Sequence, residues 1–165
     1  LVLSKCQTPL PVSIDPRLFS LALFHLISNA ANFSPLDSTI TISLLESSRY
    51  CTVTVSDEGD GIAAEDLPRV FEPFYVCPDT RLPESQLGSG LGLPIVQEIV
   101  KLHGGDIFLT SEQNHGTSAA IRLPFSENPS ANLVHADTSK YVTDKFSDLY
   151  ILFAELCEIN LFYPS

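Results

Sequence analysis

Three short segments, arriving in a fixed order, constrain this chain more than anything else in it. The first is His25-Leu26-Ile27-Ser28-Asn29-Ala30-Ala31-Asn32-Phe33, the second Asp57-Glu58-Gly59-Asp60-Gly61-Ile62, and the third Gly88-Ser89-Gly90-Leu91-Gly92-Leu93. Singly, each has a plain explanation, because glycine-rich stretches usually mark turns. Together they place a polar helix face, a carboxylate in a tight turn and a flexible lead into a helix. That combination implies a chain folded around a nucleotide.

Hydrophobic periodicity supplies the frame. Asp15-Pro16 has the form of a helix start, a capping side chain followed by proline at the first helical position. Leu18, Leu21, Ala22, Leu26, Ala30 and Phe33 then recur at helical spacing until Pro35. Residues 39–45 alternate Ile40, Ile42 and Leu44 with Thr and Ser, and Cys51, Val53 and Val55 repeat the pattern after a turn at Ser47-Ser48-Arg49. The hairpin delivers Asp57 at a strand end. Residues 67–74, broken by Pro68 and Pro73, read as a short helical or irregular piece, and residues 75–89 as a mobile surface loop. Leu93, Val96, Ile99, Val100 and Leu102 predict a helix closed by Gly104-Gly105, and strands are expected over 107–110 and 119–123 around a turn at Asn114-His115-Gly116. The expected fold is α+β: a two-layer sandwich with a mixed, mostly antiparallel sheet and helices on one face.

We expect one domain over 1–125, followed by 126–165 as a linker rich in Ser, Asn, Asp and Ala plus a possible C-terminal helix behind Ser147. The absence of methionine leads us to expect a piece of a longer protein. Twenty acidic residues against nine basic ones give a net charge of −11 and leave no basic stripe, so nucleic acid is not an expected partner. The same deficit means that a polyphosphate here must find positive charge in a divalent cation and helix N-termini. Four scattered cysteines (Cys6, Cys51, Cys77, Cys157) lack metal or redox spacing and suit a reduced, cytoplasmic setting. No apolar run is long enough to span a bilayer, and no membrane contact by this chain is expected.

The motifs carry specific chemistry. His25, Asn29 and Asn32 fall on one helix face. The Asn29 amide oxygen suits magnesium, although an asparagine there also serves by bonding a neighbouring backbone group. Asp57 can accept from an exocyclic amine or simply form its turn. Gly88, Gly90 and Gly92 allow main-chain N–H groups to approach phosphate, with the following helix adding its positive end; a loop without ligand is the plainer alternative.

In these residues the chain resembles the catalytic ATP-binding domain of sensor histidine kinases, within the superfamily that includes gyrase, Hsp90 and MutL. The likeness runs from about Asp15 to Pro124 and adds Phe71-Glu72-Pro73-Phe74-Tyr75, Leu102-His103-Gly104-Gly105 and Gly116-Thr117. It implies a Bergerat-type fold holding ATP and Mg²⁺, with Asn29 on the metal, Asp57 reading adenine and residues 75–89 as the lid. It further implies nucleotide contacts from Asn32, Phe33, Gly59, Gly61, Ile62, Phe74, Tyr75, Arg81, Gly88, Ser89, Gly90, Leu91, Gly92, Leu93 and Thr117, with His25 and Asn29 nearest the chemistry. The partners it implies are a helical dimerisation domain bearing the phosphoacceptor histidine and a downstream response regulator. None of His25, His103, His115 or His135 lies in the sequence context of that acceptor, and His103 reads as structural.

Three departures qualify the resemblance. The kinases usually carry Asn, and the ATPase branch Glu, where His25 stands. Lys or Arg is usual at Asn32, and Arg at Val76. These changes leave two other readings open, a non-catalytic ATP-sensing or docking domain of the same fold, and a gyrase- or Hsp90-type ATPase. The second is disfavoured by the missing carboxylate at position 25.

Overall fold

A computed structural model describes residues 2–3, 12–78 and 88–126, all within the compact unit Leu1–Glu127. Arg81, most of the expected lid and the expected helix behind Ser147 lie outside the described residues.

Helix α1, Pro16–Phe33, begins as its first residues dictate. Asp15 is extended, and its Oδ1 accepts from the backbone of Arg17 at 2.8 Å and Leu18 at 3.2 Å, with Pro16 opening the helix. Ser34 is extended ahead of Pro35, which disfavours helix at the residue before it. The buried stripe is narrower than the periodicity predicts. Ala22, Leu26 and Ala30 hold it and Ile27 joins it, whereas Leu18, Leu21 and Phe33 are 36–40% exposed. An 18-residue helix is about 27 Å long, and these three stand towards its ends, beyond the stretch its neighbours cover.

Among the described residues the sheet has five strands in the order β1-β2-β3-β5-β4, where β1 is Val2–Leu3, β2 Thr41–Glu46, β3 Tyr50–Ser56, β4 Asp106–Ser111 and β5 Thr117–Pro124. Only β1 pairs in parallel, with β2; the other pairs are antiparallel. The β3–β5 register sets Cys51 opposite Leu123, Val53 opposite Ile121 and Val55 opposite Ala119. Cys51, Val55, Ala119, Ile121 and Leu123 are buried with Ala22, Leu26 and Ala30 of α1 and with Val96, Ile99 and Val100 of α2, Gly92–Leu102. One face of the sheet therefore carries the core, giving the expected α+β sandwich. On the other face the Arg122 guanidinium lies over the rings of Tyr50 and Phe108 and pairs with Asp106 at 2.8 Å.

Some local expectations shift. Strand β2 starts at Thr41 rather than 39, because the Thr39 N–H donates to Glu58 Oε2 at 3.0 Å instead of entering the ladder. The piece over 67–74 reduces to one 3₁₀ turn, Leu67–Arg69, consistent with its two prolines. Leu102, assigned to the apolar face of α2, is 75% exposed at the last helical position.

The structural reading of His103 holds. Its Nδ1 donates to the Ile99 carbonyl at 2.7 Å and its Nε2 accepts from the Asp15 N–H at 2.8 Å, so a neutral imidazole ties the end of α2 to the start of α1. His103→Ala removes both bonds at a part-buried junction. Urea unfolding should show a loss of about 1–2 kcal/mol with an unchanged m value.

Candidate functional site

Two clusters build the site, and α1 joins them. The first surrounds Asp57, one residue beyond β3. Its N–H donates to the Thr117 carbonyl at 2.9 Å, extending the β3–β5 ladder by one step. Its Oδ1 accepts from the backbone N–H of Gly59 at 2.9 Å and of Thr117 at 3.1 Å. Among the described residues Oδ2 makes no hydrogen bond, so the carboxylate is fixed by one oxygen and open at the other. The group is half-buried. Burial pushes its pKa above the ordinary 3.8, and the Gly59 and Thr117 N–H bonds oppose that shift.

The glycines expected here serve close approach. A side chain at Gly59 would strike the Phe33 carbonyl, and one at Gly116, where φ is +81°, would strike the Asp57 carbonyl. Phe33 also accepts from the Asp60 N–H at 3.1 Å. The last turn of α1 is thereby held against the Asp57 turn. Ile62 is fixed through its N–H, which donates to Ser111 Oγ at 2.8 Å.

The second cluster lies where α1 passes the start of α2. Asn29 is one turn back from Phe33 and His25 one turn further back. A carbon added at Gly92 would sit 3.5 Å from His25 Nδ1 and 3.8 Å from Asn29 Oδ1. Both side chains are half-buried and, among the described residues, neither makes a hydrogen bond. The alternative in which Asn29 bonds a neighbouring backbone group is therefore not what the described residues contain. Burial moves the His25 pKa below 6.5, so the imidazole is neutral at pH 7. Among the described residues no side chain caps α2, and Pro94 in its first turn has no N–H, which leaves the Gly92 and Leu93 N–H groups at its positive end.

The remaining expected residues are distributed around these clusters. Asn32 is exposed on the last turn of α1. Gly88 and Ser89 are exposed, while Gly90 and Leu91 are half-buried. Gly90, at φ +69°, accepts at its carbonyl from the Phe74 N–H at 3.0 Å, which brings the Phe74-Tyr75 segment against the glycine-rich one. Phe74 itself has φ +67° and is 73% exposed. Tyr75 donates its hydroxyl to Asp66, and Arg69 lies 4.1 Å from its ring centre. Thr117 contributes its backbone N–H to Asp57 and its hydroxyl to Ser111 at 3.0 Å.

Sequence reasoning missed Ser111, Asp66 and Ser34. Ser111 Oγ donates to the Gly116 carbonyl at 2.8 Å and accepts from Ile62, bracing the Asp57 turn from β4. A lone serine at a strand end gives no signal of that role. Asp66, which anchors Tyr75, is separated from any glycine motif, and Ser34 carries a buried Oγ without a partner among the described residues.

A carboxylate set between close-packed turns, an amide-bearing helix and an uncapped helix start define a nucleotide-binding α+β sandwich. The chain belongs to the family described as histidine kinase-, DNA gyrase B-, and HSP90-like ATPases, whose model matches residues 14–127. The sensor protein IrlS of Burkholderia pseudomallei is 42% identical over 113 residues, 68% of this chain and 24% of that protein. The sensor histidine kinase WalK of Bacillus subtilis is 38% identical over 118 residues, 70% of this chain and 19% of that protein. The mycobacterial sensor histidine kinase MprB structure matches with a TM-score of 0.61 at 30% identity, covering 74% of this chain and 78% of that one. This chain thus spans about a quarter or less of those two curated relatives. Among the described residues no helix is long and apolar enough to cross a membrane.

A raised carboxylate pKa has a sign that can be checked. Relative to the unfolded chain, ionised Asp57 is disfavoured in the fold; the resulting penalty is full above its raised pKa and disappears as pH falls below 3.8. Asp57→Asn keeps an Oδ1 acceptor for Gly59 and Thr117 and removes the charge. Thermal unfolding at pH 7 should find the variant at least as stable as the parent, with the gap closing towards pH 4; a clearly less stable variant at pH 7 would refute this account of the carboxylate.

Proposed function

We propose that this chain is the ATP-binding catalytic module of a two-component sensor histidine kinase, comprising residues 1–125, with 126–165 a linker and possible C-terminal helix. It would act in the cytoplasm, bind no nucleic acid and make no membrane contact of its own. The single observation that supports the reading best is a pair of polar groups, Asp57 Oδ2 and the Asn29 carboxamide. Each is half-buried and without a hydrogen-bond partner among the described residues, the first in the turn packed against the end of α1 at Phe33 and the second one turn back along that helix.

In this reading Asp57 Oδ2 accepts from the adenine 6-amino group, while Oδ1, held by Gly59 and Thr117, keeps the carboxylate from turning away. A guanine base presents a carbonyl at that place and would leave two acceptors opposed, so the site selects ATP over GTP. Phe33, Gly59, Gly61, Ile62, Phe74, Tyr75 and Thr117 shape the base and ribose side. Gly88, Ser89, Gly90, Leu91, Gly92 and Leu93 bring backbone N–H groups to the phosphates, with Asn32 at the edge of the same region; Arg81, which the resemblance adds to the phosphate contacts, lies outside the described residues. The Asn29 oxygen is a fitting ligand for Mg²⁺, a hard cation that is satisfied by one protein oxygen plus phosphates and water. When bound, magnesium would neutralise charge across the terminal phosphates.

The protein's contribution is positioning. The γ-phosphoryl group passes to an imidazole nitrogen of a histidine on a separate helical dimerisation domain: an N–P bond forms, the bond to the ADP oxygen breaks, and the imidazole N–H proton is released. A response regulator then receives the phosphoryl group. None of His25, His103 and His115 lies in the sequence context that the resemblance implies for the acceptor, which this reading assigns to a separate domain.

One observation favours a second reading, ATP sensing without transfer. Arg69, Lys101 and Arg122 are engaged with Glu72, Glu98 and Asp106, and no Lys or Arg occurs in any of the three site segments. The test is to mix the chain with Mg²⁺, γ-labelled ATP and the helical phosphoacceptor domain of its parent. Label on that domain supports the kinase; ATP binding without label supports sensing. Asn29→Ala and Asp57→Asn should each weaken nucleotide binding at least about tenfold in titration calorimetry, the loss of one charge-assisted contact.

A further inference from the structure

The resemblance places asparagine where this chain has His25, and the surroundings of that imidazole give the exchange a chemical meaning. His25 and Asn29 are four residues apart, so their side chains lie over one another on one face of α1. Both reach the same point, the space in front of Gly92, at 3.5 Å for His25 Nδ1 and 3.8 Å for Asn29 Oδ1. The ring of Phe24 lies beside the imidazole, with centroids 5.6 Å apart and planes at 54°, and among the described residues no group bonds either ring nitrogen. An imidazole and a second donor one helical turn apart form the spacing by which a helix commonly offers two ligands to one cation.

We propose that His25 is a second protein ligand, beside Asn29, for the divalent cation carried by the nucleotide, and that it shifts the site's preference from Mg²⁺ towards Mn²⁺. This rests on the ATP-site reading above. Magnesium favours all-oxygen coordination, whereas first-row transition cations accept an imidazole nitrogen more readily, manganese the least of them but more than magnesium. The amide oxygen and phosphate oxygens are acceptable to both cations, so the nitrogen decides the order between them. No group of three or more His, Cys, Asp or Glu able to hold a metal occurs among the described residues. In the ATP-site reading the cation arrives with the nucleotide, and its protein ligands are the few donors facing the phosphates. The geometry of Gly92 adds to the argument: without a side chain there, nothing separates the two donors from the start of α2, where the phosphates would lie.

The test uses the full chain with a non-hydrolysable ATP analogue and Mn²⁺ or Mg²⁺ alone. In pulsed electron paramagnetic resonance, the Mn²⁺–nucleotide complex should show hyperfine coupling to a directly bound imidazole nitrogen, and His25→Asn should abolish it. Calorimetry should show the parent binding the manganese complex more tightly than the magnesium complex. His25→Asn should lose on the order of tenfold in affinity for the manganese complex and little for the magnesium complex. If the analogue binds with Mn²⁺ but without imidazole coupling, and His25→Asn titrates like the parent with both metals, the inference is overturned while the ATP site stands. Absence of binding with either metal overturns both. The parent spectrum needs no variant, so a misfolded His25→Asn cannot shelter the idea.

Discussion

Three parts of the chain that are distant in sequence, the ends of β3 and α1 and the start of β5, meet at the Asp57 turn, and the meeting sets the site's dimensions. Oδ1 takes N–H groups from Gly59, two residues on, and Thr117, sixty residues on. The end of β3 and the start of β5 are thus locked in register at the point where their ladder stops. The same turn presses Gly59 against the last carbonyl of α1 and admits no side chain at Gly116. Hydrogen bonds to a charged acceptor are worth about 1.5–3 kcal/mol each when a partner is lost, so this junction is stiff. Once Phe33 is pinned, Asn29 and His25 follow at one and two turns back along a rigid helix. The distance between the open carboxylate oxygen and the open amide is therefore set by backbone geometry and not by loop conformation.

A net charge of −11 opposes a triphosphate at long range, yet that field matters less than the local donors. At physiological ionic strength exposed charges are screened over about 8 Å, so most of the twenty carboxylates act as solvated surface. Within reach of Gly92 there are oriented N–H groups at the start of α2, a neutral imidazole and an amide. These are dipoles, not charges. In the proposed reading such a site would discriminate by orientation and by the cation that accompanies the ligand, without burying a permanent positive charge that would need a partner whenever the nucleotide is absent.

Much of this was legible in the sequence. The α1 start, both hairpins, the end of α2 and the position of Asp57 all follow from side chains that act on their own neighbours: a capping Asp, a proline, an alternation, a glycine. What was not legible depends on contacts between segments. Two-residue β1 is too short to alternate. Ser111 braces the Asp57 turn only because β4 lies beside β5, and nothing local marks it. The exposure of Leu18, Leu21, Phe33 and Leu102 reflects where cover ends, which periodicity does not encode. His103 lies between these cases: its place beside a glycine cap suggested structure, but its bond to Asp15 across eighty-eight residues required the fold.

The polar groups along α1 support a functional origin for its inward face on energetic grounds alone. Within two turns this helix carries Ala22, Leu26, Ile27 and Ala30 in the core and, beside them, His25 and Asn29 half-buried and unbonded among the described residues. Desolvating an amide or imidazole without a partner costs about 1–3 kcal/mol in proteins, a sizeable share of a domain's net stability. Leucine at either position would continue the apolar stripe and remove that penalty. The structure compensates elsewhere, through the β3–β5 core and the helix-to-helix bridge of His103, and keeps the unpaired groups facing the start of α2. A helix face whose half-buried polar groups converge on one point, without protein partners among the described residues, supports the nucleotide site proposed above.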